Sequence, residues 1–159
     1  MIRHPAIVKL SQDHHQALME AIRLKRASDE TAATVAAAYV EWFDGHAQRH
    51  FEIEEQVLLP AYLNLVGLEH GVEPVIVQVL REHVELRALA EQLRAGAATT
   101  ALIRETGSRL DDHVRLEERK LFPQIQQTLS DEQLDELAVQ VARAEPAVAT
   151  PVSESPDAA

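Results

Sequence analysis

Two stretches of the chain carry the same pattern of histidine and glutamate. One contains His50, Glu54, Glu55, Leu58, Leu59 and Pro60, the other His113, Glu117, Glu118, Leu121, Phe122 and Pro123, so both read H-x-x-x-E-E-x-x-L-[LF]-P. A histidine and a glutamate four apart on a helix share one face, a turn above each other, and can reach one ion together. A single H-x-x-x-E is usually a surface pair; two copies in matching context are far more specific. A second matched pair precedes them. Asp13-His14-His15 and Glu82-His83 each place a histidine directly after an acidic residue and beside an apolar stripe. The chain therefore reads as two halves, each giving one histidine from its first helix and a histidine plus a glutamate from its second.

Helical periodicity supplies the elements that must position these groups. A first helix is expected over residues 5 to 27, with Pro5 in its first turn and Ile7, Leu10, Leu18 and Ala21 on one stripe. Ser28-Asp29-Glu30 is read as the cap of a second helix running to about Leu59, where Pro60 should kink or end it. After a connection at Gly67 to Gly71, a third helix is expected from Pro74 to about Arg94. Thr99 or Thr100 caps a fourth, which continues to about Phe122 before Pro123. Ser130 with Gln133 forms a capping-box pattern for a short fifth helix, and the Pro-, Ala- and Ser-rich tail is expected to be disordered. The expected fold is all-α: an antiparallel up-down-up-down four-helix bundle with a short C-terminal fifth helix. The domain takes residues 1–145 and the disordered tail residues 146–159.

The four histidines converge in such a bundle. His14 and His83 each lie nine residues after a helix-starting proline, Pro5 and Pro74; His50 and His113 lie nine before Leu59 and Phe122. At 1.5 Å per residue each sits about 13 Å from the same end. Unpaired polar groups in an apolar core cost roughly 1–3 kcal/mol each, and metal ions remove that cost by turning lone pairs into ligands. Six ligands are too many for one tetrahedral zinc but suit two ions bridged by the two glutamates. With a bridging oxo or hydroxo group, the two carboxylates offset most of the charge of two divalent ions.

Composition narrows the field. The chain is 46% hydrophobic but 4% aromatic, with five glycines, a mix that favours helices packed on helices. A net charge of −11 leaves no basic stripe for nucleic acid. With no cysteine, thiolate sites and iron–sulfur clusters are excluded, leaving histidine and carboxylate as ligands. The N-terminus carries polar residues too early for a signal peptide, and no run of about 18 apolar residues could span a membrane; a cytoplasmic location is expected. Phosphate loops, Ser/His/Asp sets and zinc-protease signatures are missing.

These paired motifs, each with an acidic residue and histidine on the preceding helix, resemble the hemerythrin-like family, also called the HHE cation-binding domain, over about residues 5 to 127. The resemblance implies a non-heme di-iron centre. Carried over residue by residue, it implies His14, His50 and Glu54 as metal ligands from the first half and His83, His113 and Glu117 from the second, with Glu54 and Glu117 as bridges. Iron rather than manganese or zinc rests on this resemblance, because affinity order alone does not select iron. Two positions depart from the family's oxygen carriers. Arg87 stands where they place a further histidine one turn along the third helix, and Glu118 where they place an aspartate. Both favour a more open, reactive or sensory site over a reversible carrier. The implied function is to bind or sense O2 or NO, or to handle iron and reactive oxygen such as peroxide, passing any signal or electron to a redox or signalling partner protein. The alternatives are an enzyme that turns over O2 or peroxide, and a purely structural two-metal staple.

The other candidates have plainer readings. His15 is turned about 100° from His14, onto a stripe with Val8, Ser11, Met19 and Ile22, and is read as a boundary or surface residue, with a seventh ligand as the alternative. His46, one turn before His50, is expected to face inward as a core-edge histidine or a further ligand. Tyr39 and Phe43 are read as packing rather than an electron relay. Glu55 and Glu118 are read as solvated or as partners of histidine N–H groups. His4 and His70 lie near helix ends and need no function.

Overall fold

His4 and Pro5 start the first helix. The His4 Nδ1 accepts from the Ala6 N–H, and Pro5 occupies a first-turn position that needs no donor. A computed structural model describes residues 3–67 and 74–144, and all its regular elements there are helical. His70 and the tail 146–159 lie outside the described residues. The helices are α1 (Pro5–Lys25), α2 (residues 32–66), α3 (Pro74–Arg94), α4 (residues 100–128) and α5 (Asp131–Ala144). None of the described helices is long and apolar enough to cross a membrane.

Of the two outcomes expected at Pro60, an end of the helix is corrected, as is the expected end of the fourth helix before Pro123. Both helices run through their prolines, α2 to Val66 and α4 to Thr128. Each proline is preceded by a π turn, Glu54–Leu58 in α2 and Glu117–Leu121 in α4. There the Leu59 N–H bonds to the Glu54 carbonyl and the Phe122 N–H to the Glu117 carbonyl, five residues back. A proline ring normally collides with the carbonyl four residues earlier; the wider turn gives it room. The second helix also begins later than expected. Ser28 and Thr31 close a turn through the Ser28 N–H and the Thr31 hydroxyl, and the helix starts at Ala32. Thr99 caps α4 through the Leu102 N–H, and Ser130 and Gln133 exchange the two bonds of a capping box ahead of α5.

Two apolar clusters take up the core. One joins Ile7 and Leu10 of α1, Leu59 and Tyr62 of α2, Ile76 and Val79 of α3, and Phe122 and Ile125 of α4; α5 adds Leu134, Leu137 and Val141. The other joins Ala21 and Leu24, Tyr39 and Phe43, Ala90 and Leu93, and Ile103 and Leu110. Helix α1 packs chiefly on α4, and Gly107 lets the two come close. A Cβ there would come within 2.8 Å of the Ala21 carbonyl oxygen and of Leu24 Cβ.

Candidate metal centre

Among the described residues eight buried ones are polar or charged, and six of these are His14, His50, Glu54, His83, His113 and Glu117. All six come together, in two groups that share both glutamates: His14, His50, Glu54 and Glu117, and His83, His113, Glu54 and Glu117. Within each group the candidate ligand atoms lie within 4.8 Å of one another. Each carboxylate divides its oxygens between the halves. Glu54 sets Oε1 at 3.2 Å from His50 Nε2 and Oε2 at 3.3 Å from His83 Nε2. Glu117 sets Oε2 at 2.9 Å from His14 Nε2 and Oε1 at 3.4 Å from His113 Nε2. The Nε2 atoms of His14 and His50 are 3.1 Å apart. Two donors each about 2.1 Å from one ion, at right angles, would be separated by about 3 Å.

The inward atoms are short of protein partners. Both oxygens of Glu54 and of Glu117, and the Nε2 atoms of His83 and His113, are buried without a hydrogen bond of acceptable geometry. A dry core does not normally keep so many such atoms at one point. The donor set, imidazole plus carboxylate with no sulfur, suits a divalent first-row metal, and cations at this point would satisfy every one of those atoms.

Without an ion, the charges settle among the groups themselves. Burial opposes a proton on His14, but Glu117 and Glu118 outweigh it and raise its pKa to about 9. Burial likewise works against His83, which Glu117 and Glu54 raise to about 9, and against His50, which Glu54 and Asp13 raise to about 10. Burial and the facing Glu117 disfavour charge on Glu54, yet His50 and His83 hold it down at about 2. Glu117 is held well below the ordinary range by His113, His14 and His83, against its burial.

Each histidine turns its other nitrogen to a carboxylate on a neighbouring helix, forming a closed ring. Asp13 of α1 faces His50 Nδ1 of α2 at 3.4 Å, and Glu55 of α2 faces His83 Nδ1 of α3 at 2.8 Å. Glu82 of α3 faces His113 Nδ1 of α4 at 3.0 Å, and Glu118 of α4 returns to His14 Nδ1 of α1 at 2.7 Å. Such bonds fix ring orientation and direct Nε2 inward. Two of the carboxylates are backed by arginine: Arg3 donates to Glu118, and Arg87 to both oxygens of Glu55. Arg87 also lies over the Phe51 ring, which stacks on His83 at 3.9 Å; Arg3 lies over Phe122, which stacks on His14 at 5.2 Å. Arg87 is thus engaged around the site rather than among the inward groups.

The remaining candidates separate clearly. His15 is exposed beside the inward His14. His46 is also exposed, which corrects the inward orientation expected for it. A π turn at Phe43–Ala47 adds a residue to that turn, so Phe43 and Ala47 take the buried face. Ala17, rather than the half-buried Leu18, continues the buried stripe of α1. Tyr39 and Phe43 are buried in an apolar cluster. Glu55 and Glu118 are the histidine partners expected of them. Asp13 and Glu82 complete the ring, a role missed in the sequence although both precede a site histidine at matching positions.

A helical bundle with buried histidines and carboxylates gathered in two sets defines a cation-binding protein. The sequence model of the hemerythrin HHE cation-binding domain matches residues 6–125, and the chain belongs to that family. No curated protein and no solved structure matches the chain significantly.

Proposed function

We propose that the chain is a non-heme di-iron protein in which His14 and His50 hold one ion, His83 and His113 hold the other, and Glu54 and Glu117 bridge them. The observation that carries this reading is the division of both carboxylates, one oxygen towards each histidine pair. Four protein donors per ion leave coordination positions for a small exogenous ligand. Bound iron would supply a redox-active Lewis acid for O2, NO or peroxide. The chain's own part is to hold four Nε2 lone pairs inward through the carboxylate ring, and to keep two carboxylates ionised in a dry core. Iron in preference to manganese or zinc is supported by the family.

The same reading takes residues 1–145 as one domain whose long helices run up, down, up and down. Cluster membership supports this. Helices α1 and α3 begin in the Ile7–Ile76 cluster and end in the Leu24–Leu93 cluster, while α2 and α4 run the other way. Binding or sensing without stable O2 carriage is favoured because Arg87 is committed to Glu55 and Gln48. Anaerobic iron loading followed by elemental analysis should approach two ions per chain, and azide added to the oxidised protein should give a saturable new absorption band. Saturation at one ion would refute the two-metal reading, and no azide response would mark a closed, structural site.

A further inference from the structure

Counted from their histidines, the two halves stop matching just above the site. Ala17 lies three residues after His14, where Leu86 lies three after His83. Ala47 lies three before His50, where Leu110 lies three before His113; Gly45 stands against Ser108. The smaller residues of the first half line a cleft between α1 and α2 of about 290 Å³, whose walls include His14, His50 and His113. A dry cavity of about 150 Å³ takes benzene, so this one is far larger than a diatomic gas requires.

Gly45 is the telling residue. It sits inside the π turn Phe43–Ala47, its φ is not positive, and a Cβ there would meet nothing within 4 Å. Glycine is a poor helix residue, and here neither backbone nor packing requires it. Gly45 is exposed where it lines the cleft, and the open space beside it is room that a large side chain such as phenylalanine would take up. The charges along the wall are already paired within the protein: Lys9 with Asp13, and Arg49 with Glu52 and the Ala144 carbonyl. They offer little to a charged ligand. The apolar lining includes Ala17, Phe51, Leu110 and Val114, and Trp42 contributes an indole N–H that is buried without a partner.

We propose that this cleft binds a small uncharged organic molecule with an aromatic or branched apolar body that ends in an oxygen, held towards the His14–His50 pair. It rests on the two-ion reading only for what that oxygen meets. Concave sites with an apolar wall and a few convergent polar groups are the usual form of small-molecule sites.

Trp42 is the sole tryptophan of the chain and reports occupancy directly. Titrating 2-phenyl-2-propanol into the metal-free and the zinc-loaded protein should change Trp42 emission saturably. Gly45→Phe, and separately Ala17→Leu, which copies the second half, should weaken binding by about tenfold or more. Gly45→Ala should keep it. Helical circular dichroism and bound zinc, measured on each variant, separate a filled cleft from a misfolded chain. Absence of a saturable response in the native protein, or undiminished binding in both folded filling variants, would overturn the proposal. A chain that takes only one ion yet shows the Trp42 response and its loss on filling would keep the cleft and discard the two-ion reading. Two ions with a silent Trp42 would do the reverse.

Discussion

Glu118→Ala should weaken metal binding far more than Asp13→Ala, although each removes one carboxylate from the same ring. Glu118 lies 2.7 Å from His14 Nδ1 and is itself held by Arg3, whereas Asp13 lies 3.4 Å from His50 Nδ1, at the outer limit of a hydrogen bond. Removing a carboxylate that orients a ligating histidine typically costs ten- to a hundredfold in affinity, or about 1.4–2.7 kcal/mol. We expect that range for Glu118→Ala and only a severalfold loss for Asp13→Ala. Both changes raise the net charge by one, so the long-range attraction for a cation falls alike and the difference isolates the contact. Glu118→Ala takes the carboxylate from Arg3 and Asp13→Ala takes one from Lys9, so each variant leaves a cation near the site, and Arg3→Ala or Lys9→Ala in the matching background removes that repulsion. Competition against a chromophoric chelator, with zinc to avoid oxidation, measures the affinities. Equal losses, or a larger one at Asp13, would refute the view that the short, arginine-backed bonds hold the site.

Three further outcomes follow from the geometry. In the metal-free protein, His14, His50 and His83 have folded-state pKa values of about 9, 10 and 9 against an ordinary 6.5, so their stabilisation is complete below 6.5 and lost as pH rises towards 10. Glu118, lowered from 4.5 to about 2, stabilises above 4.5 and loses that contribution as pH falls towards 2. The metal-free Tm should therefore peak between those limits and fall by pH 9, with metal reversing the alkaline loss; a Tm that climbs from pH 6 to 9 without metal contradicts this. Gly107→Ala should lower Tm, because overpacking of about 1–3 kcal/mol against Ala21 and Leu24 exceeds the roughly 1 kcal/mol gained in helix propensity; a higher Tm would show that α1 gives way easily. His14→Ala should lose bound metal while His15→Ala keeps it, as elemental analysis of the two variants will show, and the opposite pattern would displace the register of α1.

The six residues could be picked out of the sequence because the pattern is written twice: His14 and His83 each lie nine residues after a proline, and His50 and His113 each lie ten before one. What escaped was local backbone geometry. Nothing in the residue pattern marks a π turn, and three of them shift the outcome. Those starting at Glu54 and Glu117 carry the helices through Pro60 and Pro123, and the one at Phe43–Ala47 turns His46 out to solvent. The caps at Thr99 and Ser130 were foreseeable because capping depends on a few neighbouring side chains. The partners of the histidines were half foreseen. Glu55 and Glu118 belong to the repeated motif, while Asp13 and Glu82 stood out only as the residues before His14 and His83; all four contacts run to a histidine on another helix, a relation that sequence spacing does not display.

The ring of carboxylates alternates between two kinds of link. Asp13 to His50 and Glu82 to His113 each close within one helical hairpin, while Glu55 to His83 and Glu118 to His14 each pass from one hairpin to the other. Every hairpin thus gives one outgoing carboxylate and receives one, the relation expected of two copies about a twofold axis. Nothing in this exchange requires the copies to be joined. A lone hairpin with one such H-x-x-x-E-E segment could complete the same ring as a homodimer, and fusion of two genes would then free the halves to diverge. Small residues at Ala17, Gly45 and Ala47, where the second half has leucine and serine, are an asymmetry that two identical hairpins could not hold.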